Sequence, residues 1–335
     1  MVKISIVIPA HNVETFIKST LNSIKKQSYD NFEVIIVNDN STDNTEKVVR
    51  DFCDQDNRFK LINFPENKGV SEARNAGIRH STGDFVFFID GDDCIMNTCL
   101  SNVVAKIEEG IDAVLINYQL ADSDGNSIDL KKLRFFEEQF PTQNVSGKEA
   151  VKLLFSHKIS HWSFETIVRR TVLERNNILF PSGRAYGEDF ATIYKELFYS
   201  RKVAFLDEKL YVYVQRGSSA MHNHRLQDSE NYYSGILELN EFVKKNIPSL
   251  EREKSFYILP RLINAYSIQC KFPNKQNINF MSKLRNEILK NTKILKNTEF
   301  HLSRRDRLKI SLIKYRLLKY IYLLNFYRHK GKESK

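Results

Sequence analysis

The sequence predicts an α/β protein: a mostly parallel sheet with helices on both faces, followed by a helical C-terminal region. Three observations carry that expectation. Strand-like and helix-like patterns alternate through the first hundred residues; the strands are apolar at successive rather than alternate positions; and polar residues gather directly after each strand.

The elements follow in order. Residues 3–8 form a β-branched run that ends at Pro9 and reads as a buried strand. Residues 13–27 place Phe16, Ile17, Leu21 and Ile24 at helical spacing, and residues 32–37 form a second buried strand. A helix over 43–53, a short strand over 59–62, a helix over 70–78 and a strand over 84–89 complete the first half. Residues 112–214 are mixed, with strands over 113–120 and 203–213 and helices over 148–156 and 189–199. Beyond residue 226 strand signals fade, and Leu, Ile, Lys and Asn recur at helical spacing. The expected division is an α/β domain over 1–222, in two parts over 1–100 and 101–222, and a helical region over 223–335.

Composition narrows the function classes. With 335 residues, 41% hydrophobic and 27% charged, the chain has material for about two packed domains. Cys53, Cys94, Cys99 and Cys270 lack zinc-site spacing and are too few for a disulfide framework, so a reducing compartment is expected. No signal peptide or spanning segment is read from the sequence, and the expected location is cytoplasmic, with a peripheral position at the inner face of the cell membrane left open. Residues 301–335 hold eleven Lys and Arg against two Asp and Glu, nearly all of the formal net charge of +10. A nucleic-acid reader would spread positive charge over the domain that binds the polymer, so no nucleic-acid partner is expected.

In parallel sheets ligands sit at the carboxyl ends of the strands. After the fourth strand come Asp90-Gly91-Asp92-Asp93, carboxylates suited to Mg²⁺ or Mn²⁺ completed by substrate phosphates; the same residues also read as a strand end capping a helix. After the second come Asn38 to Asp43, where Asp39 can accept from a ring N–H and Asn40 tolerates a left-handed turn, while Ser41 or Asp43 can start the next helix. Asn67-Lys68-Gly69 leads into a helix whose N-terminus and Arg74 can face a diphosphate, although a solvated amphipathic helix fits equally well. Gly187-Glu188-Asp189 opens a later helix with two acidic residues.

The order PAHN, VNDNSTD, ENKGVSEARNAG, DFVFFIDGDD over residues 3–100 resembles the nucleotide-diphospho-sugar-binding half of family 2 glycosyltransferases with the GT-A fold, and a weaker likeness through Trp162, Arg169-Arg170, Phe180, Gly187-Glu188-Asp189 and the stretch 211–222 extends it to residue 222. The resemblance implies that Pro9, Ala10 and Glu14 border the nucleotide, Asp39 reads a uracil, and Asn67 and Arg74 contact the nucleotide. It makes Asp90-Gly91-Asp92 the DXD motif, with Asp92 on a Mn²⁺ or Mg²⁺ ion and Asp90 on the ribose or a metal-bound water. It places Arg216 and Ser219 in a segment closing over the diphosphate, with His222 a candidate metal ligand, and makes Asp189 the general base with Glu188 beside it. Asn40, in place of the family's usual Gly, and His11, where Tyr is frequent, depart from the pattern without removing a carboxylate.

The implied function is inverting, metal-dependent transfer of a hexose or N-acetylhexosamine from a UDP-sugar to a hydroxyl of a cell-surface glycan, polymer or glycoprotein, in a bacterium. A Rossmann oxidoreductase is excluded because the first strand is followed by PAHN and not by a GxGxxG turn. A non-catalytic glycan-binding protein on the same scaffold is the alternative, and intact Asp90, Asp92 and Asp189 speak against it. Residues 304–328 mix cations with large apolar residues and do not separate them onto clean helical faces. A packed helix is expected there, further apolar surface forming a homo-oligomer interface, with weak attachment to anionic lipid as the alternative.

Overall fold

The computed structural model describes residues 1–122, 126–128, 140–184, 187–215, 225–272 and 277–322. Two compact units divide the chain, Met1–Leu154 with Lys158–Ser219, and Ala220–Lys335 with the short segment Phe155–His157.

The first unit is the expected α/β layer structure. Strand β1 (Ile4–Ala10) pairs in parallel with β2 (Phe32–Asn38) on one side and with β4 (Phe85–Phe88) on the other, and β2 pairs in parallel with β3 (Phe59–Asn63). Helices α1 (Ile17–Lys25), α2 (Thr45–Gln55) and α3 (Val70–His80) connect them. Successive strand residues are buried because both sheet faces are covered: Ile4, Ile6, Ile8, Val34 and Ile36 join one core cluster, while Val7 enters a second and Ile35 and Val37 a third. After the two-residue β5 (Cys94–Ile95) and α4 (Cys99–Lys106), the long strand β6 (Ile111–Ala121) extends the sheet.

Beyond β6 lie β7 (Ser127–Ile128), β8 (Val145–Ser146), α5 (Gly147–Phe155), β9 (Thr166–Arg169), α6 (Arg170–Arg175), α7 (Glu188–Tyr199) and β10 (Lys202–Val214). The sheet order is β3-β2-β1-β4-β9-β6-β10-β5. Strand β9 is antiparallel to both β4 and β6, and β10 is parallel to β6. The carboxyl ends of β1, β2, β4, β6 and β10 therefore share one edge, where the loops meet. Strands β5, β7, β8 and β9 were not expected; each spans two to four residues, too few to show a period. Helix α1 starts four residues later than its apolar spacing suggests. The Val13 and Glu14 amides donate instead to Thr45 Oγ1 (2.9 Å) and Asp43 Oδ2 (3.1 Å).

The second unit contains, among its described residues, α8 (Leu226–Asn246), α9 (Glu251–Lys271), α10 (Ile278–Ile294) and α11 (Arg304–Lys314), with a 3₁₀ turn between α8 and α9 and further helical residues over 318–322. Helix α9 is the central one, burying Ile258, Leu259, Leu262, Ile263, Ala265 and Ile268. Ser303 caps α11 by accepting from the Asp306 amide (3.0 Å). Arg285 of α10 donates to the Ile313 and Lys314 carbonyls (3.3 and 2.8 Å), satisfying the free carbonyls at the α11 C-terminus. No described helix is long and apolar enough to cross a membrane.

Candidate active site

The loops after β1 and β2 and the start of α3 form one hydrogen-bonded web. Asp39, 3% exposed, accepts from the Lys68 amide (2.6 Å) on Oδ1 and the Gly69 amide (2.8 Å) on Oδ2, tying the end of β2 to the α3 N-terminus. Each oxygen keeps a second lone pair. The Asp39 amide donates to the Ala10 carbonyl (2.8 Å), and His11 Nδ1 lies 2.8 Å from the Asp39 carbonyl and 3.1 Å from Asn67 Nδ2. Asn67 Nδ2 lies 3.3 Å from the same carbonyl. Asn40 adopts φ +54°, the left-handed turn expected of it. Glu14 accepts from the Asn44 amide and side chain (2.8 and 2.9 Å), so it anchors the start of α2. Asp43 Oδ1 accepts from the Thr45 amide (3.0 Å), the helix-starting role read for it.

The acidic turn follows β4. A Cβ on Gly91 would meet the Pro9 carbonyl oxygen at 3.2 Å and the Val13 and Ile17 side chains at 3.3 and 3.4 Å, so glycine lets this turn lie against the end of β1. Asp93, read in the sequence as one of three metal-suited carboxylates but given no role of its own, is fully buried: Tyr211 Oη donates to it (2.6 Å), as does the Val214 amide (2.8 Å). Tyr211 Oη in turn accepts from the Asp90 amide (3.2 Å), so the end of β10 fixes the turn. Burial, with Asp92 and Asp90 adding, raises the Asp93 carboxyl well above the usual aspartate range.

Arg74 stands at the centre. Its guanidinium is 3% exposed; Nη2 donates to Asp90 Oδ1 (3.0 Å), and Nη1 donates to Asp189 Oδ1 (2.9 Å) and Glu188 Oε1 (3.1 Å). This guanidinium thereby gathers the acidic turn and the acidic helix start. Asn75 makes that meeting possible: Nδ2 donates to the Phe180 carbonyl and Oδ1 accepts from the Phe180 amide (both 2.8 Å). This reciprocal pair holds the segment before α7 against α3, and the Phe180 ring lies 5.2 Å from the Arg74 guanidinium carbon. Gly187, at φ +79°, turns the chain into α7 in a conformation other residues disfavour.

The charge balance shapes the acids. Burial pushes Glu188 up to about 7, with Asp189 adding and Arg74 opposing. Asp189 is raised above the usual aspartate range by burial, Arg74 opposing and Asp90 adding. Two turns along α7, Glu196 is buried at 1% exposure, and burial raises it to about 8. Neither Glu196 nor Asn75 was singled out in the sequence; a polar residue on the apolar face of a predicted helix was the signal available. Among the described residues no three His, Cys, Asp or Glu side chains make a complete metal shell. Asp90 and Asp92 flanking Gly91 remain a pair of hard oxygen donors, a set that fits Mg²⁺ or Mn²⁺ sharing its other positions with a diphosphate. Arg216, Ser219 and His222 lie outside the described residues.

A sequence profile of Glycosyl transferase family 2 matches residues 5–176, about half of the chain and every loop just described up to β9. The chain belongs to glycosyl transferase family 2. It is 31% identical to the EpsH protein of Bacillus subtilis (strain 168) over 213 residues, 63% of this chain and 60% of that relative's length. It is 29% identical over 236 residues to TarS of Staphylococcus aureus (strain MW2), named a poly(ribitol-phosphate) beta-N-acetylglucosaminyltransferase, covering 70% of this chain and 39% of TarS. The fold matches a crystal structure of S. aureus TarS 1-349 in complex with UDP-GlcNAc at a TM-score of 0.68, with 19% identity, over 98% of this chain and 92% of that one. A mannosyltransferase, PcManGT from Pyrobaculum calidifontis, in complex with GDP-Man and Mn²⁺, matches at a TM-score of 0.53 and 16% identity over 96% and 87% of the two chains. This member of the family thus has the GT-A architecture expected of it, with a helical C-terminal region.

Proposed function

We propose that the enzyme transfers a hexose or N-acetylhexosamine from a UDP-sugar to a hydroxyl of a cell-surface glycan, polymer or glycoprotein, with inversion at the anomeric carbon. The observation that carries this reading is Arg74 holding Asp90 and Asp189 at 3.0 and 2.9 Å, which brings the acidic turn and an acidic helix start to one place. Asp189 is the base: it takes the acceptor hydroxyl proton while that oxygen attacks the sugar, and its raised pKa strengthens it for this step. Glu188, partly neutral near pH 7, stands beside it and keeps repulsion in the cluster low. Asp39, fixed by two backbone amides, offers its remaining lone pairs to the uracil N–H, and Pro9, Ala10 and Asn67 border the nucleotide.

Asp90 and Asp92 hold a divalent ion, Mn²⁺ or Mg²⁺, which when bound neutralises charge on the departing diphosphate. TarS 1-349 with UDP-GlcNAc and PcManGT with Mn²⁺ support the donor and the ion. Arg216, Ser219 and His222 are proposed for the diphosphate end on the family resemblance alone. The division at residue 222 between catalytic and helical regions is likewise proposed.

The test is release of UDP from UDP-sugars with Mn²⁺ and a panel of glycan and polyol-phosphate acceptors. Asp189→Asn is expected to lower turnover by roughly 10²–10⁴-fold while calorimetry still sees UDP bind. Near-normal turnover would move the base to Glu188, and turnover with GDP-sugars alone would refute the uracil assignment.

A further inference from the structure

The helical unit carries a feature that sugar transfer does not use. Helix α10, the connection after it and α11 enclose an open groove of about 620 Å³. Lys293, Lys296, His301, Arg307 and Lys314 line it, Leu295, Phe300 and Ile310 supply its apolar part, and no carboxylate faces it. The four Lys and Arg are exposed. Between residues 278 and 322 the chain has twelve Lys and Arg against three Asp and Glu.

A second observation lies beside the groove. Helix α11 buries only Ile310 and Ile313, whereas Leu308 is 62% exposed and Tyr315, just past its end, 64%. Leu317, Tyr320 and Ile321 are exposed as well, so five of the eleven large exposed apolar side chains among the described residues fall within fourteen positions. Lys314 and Lys319 lie over the rings of Tyr315 and Tyr320, at 5.4 and 4.9 Å, so cation and apolar group are offered side by side.

Three occupants fit different parts of this surface. A second copy of the chain, meeting it about a twofold axis, would set the same basic groove against itself, and like charges facing each other weaken such an interface. A soluble polyanion would satisfy the cations but leave the leucines and tyrosines without a role. An anionic bilayer meets both, phosphates at the cations and the acyl boundary at the apolar side chains. We propose that this groove and the adjoining α11 face bind the surface of a membrane rich in anionic phospholipid.

The experiment is sedimentation of the full chain with phosphatidylglycerol–phosphatidylcholine vesicles and with phosphatidylcholine alone. Binding is expected only with the anionic lipid, weakening as salt rises. Each cation contributes about fivefold to binding, so Lys293→Glu combined with Lys296→Glu and Arg307→Glu should lose on the order of a hundredfold or more. Leu308→Ser with Tyr315→Ser, at positions 62% and 64% exposed, should weaken binding while keeping its salt dependence, and stands alone if the charge-reversed protein fails to fold. A protein that stays in the supernatant, binds neutral vesicles equally well, or is indifferent to both sets of substitutions would overturn the proposal. So would binding of soluble poly(glycerol phosphate) without vesicle binding, or a dimer by light scattering that the charge reversals dissociate without vesicle binding.

Discussion

Replacing Glu196 by Gln should remove the pH dependence of stability that this buried carboxyl of α7 contributes. Glu196 is buried behind the acidic cluster, and its Oε2 has no hydrogen-bond partner among the described residues. Burial raises it to about 8; Asp189 adds to the rise, and Arg74 and Lys195 oppose it. A carboxyl held neutral in the folded chain but ionising near 4.5 when unfolded binds more protons in the folded state between those values. Stability therefore falls as pH rises through that window and levels off above about 8. At ~1.4 kcal/mol per pH unit the loss is capped at roughly 5 kcal/mol. Glutamine removes the ionisation but brings an amide whose two N–H groups need acceptors, at a cost of about 1–3 kcal/mol if they find none. The variant should thus be no more stable than the parent at pH 5 and clearly more stable at pH 8.5, with the two curves crossing between. Thermal or urea unfolding at four or five pH values reads this directly. Parallel curves would show that Glu196 is ionised in the folded protein and that its burial is relieved in a way the structure does not contain.

Other expectations follow from the same geometry. EDTA should abolish turnover and Mn²⁺ restore it, whereas Asp92→Asn should remain folded and inactive with the ion present; full activity in EDTA would refute the metal assignment. Asn75→Ala deletes both hydrogen bonds to Phe180 and leaves a buried amide and carbonyl unpaired, which should cost about 2–4 kcal/mol and lower kcat more than it weakens UDP binding; unchanged kcat would show that α7 is positioned without it. Glu33, which accepts from Ser5, Thr82 and Lys60 at the opposite end of the sheet, is lowered to about 2 because those hydrogen bonds outweigh its burial. Its contribution is present above about 4.5 and is lost as pH falls through about 2. Glu33→Gln should lower the melting temperature at pH 7 by on the order of a few degrees, a gap that closes in acid.

The parallel half of the fold was legible because its strands are buried on both faces and therefore read as unbroken apolar runs, as β1 and β2 do. The loops after them were legible because ligand sites in parallel sheets lie at strand carboxyl ends, which pointed to Asp39, Asn67 and Asp90 before any coordinates. What could not be read was pairing across sequence. Strand β9 sits between β4 and β6, yet its four residues carry no period of their own. Nothing in the neighbourhood of Arg74 announces that Asn75 and Phe180, 105 residues apart, will bring α7 onto it. Asp93 read as one more carboxylate of a metal motif. Only the return of β10, with Tyr211 and Val214 meeting its two oxygens, makes it the member that fixes the turn.

The Arg74 cluster also explains why the acidic turn and the acidic helix start cannot be considered separately. A guanidinium at 3% exposure is costly to bury unless carboxylates and hydrogen bonds compensate it, and removing one partner of such a group leaves an uncompensated charge worth about 3–5 kcal/mol. Arg74 meets three carboxylates contributed by two distant segments, so its burial requires both the β4 turn and α7 to be in place. The dependence runs the other way as well. With all three acids ionised the cluster would carry more negative than positive charge, and the structure responds by raising Glu188 and Asp189 above their ordinary values. Asp90 reaches Arg74 through one oxygen and is about a third exposed, so the uncompensated negative charge faces the open side of the turn, beside Asp92. Positive charge arriving there would relieve repulsion inside the cluster and leave Asp189 paired to Arg74 as a carboxylate, the form in which it can accept a proton.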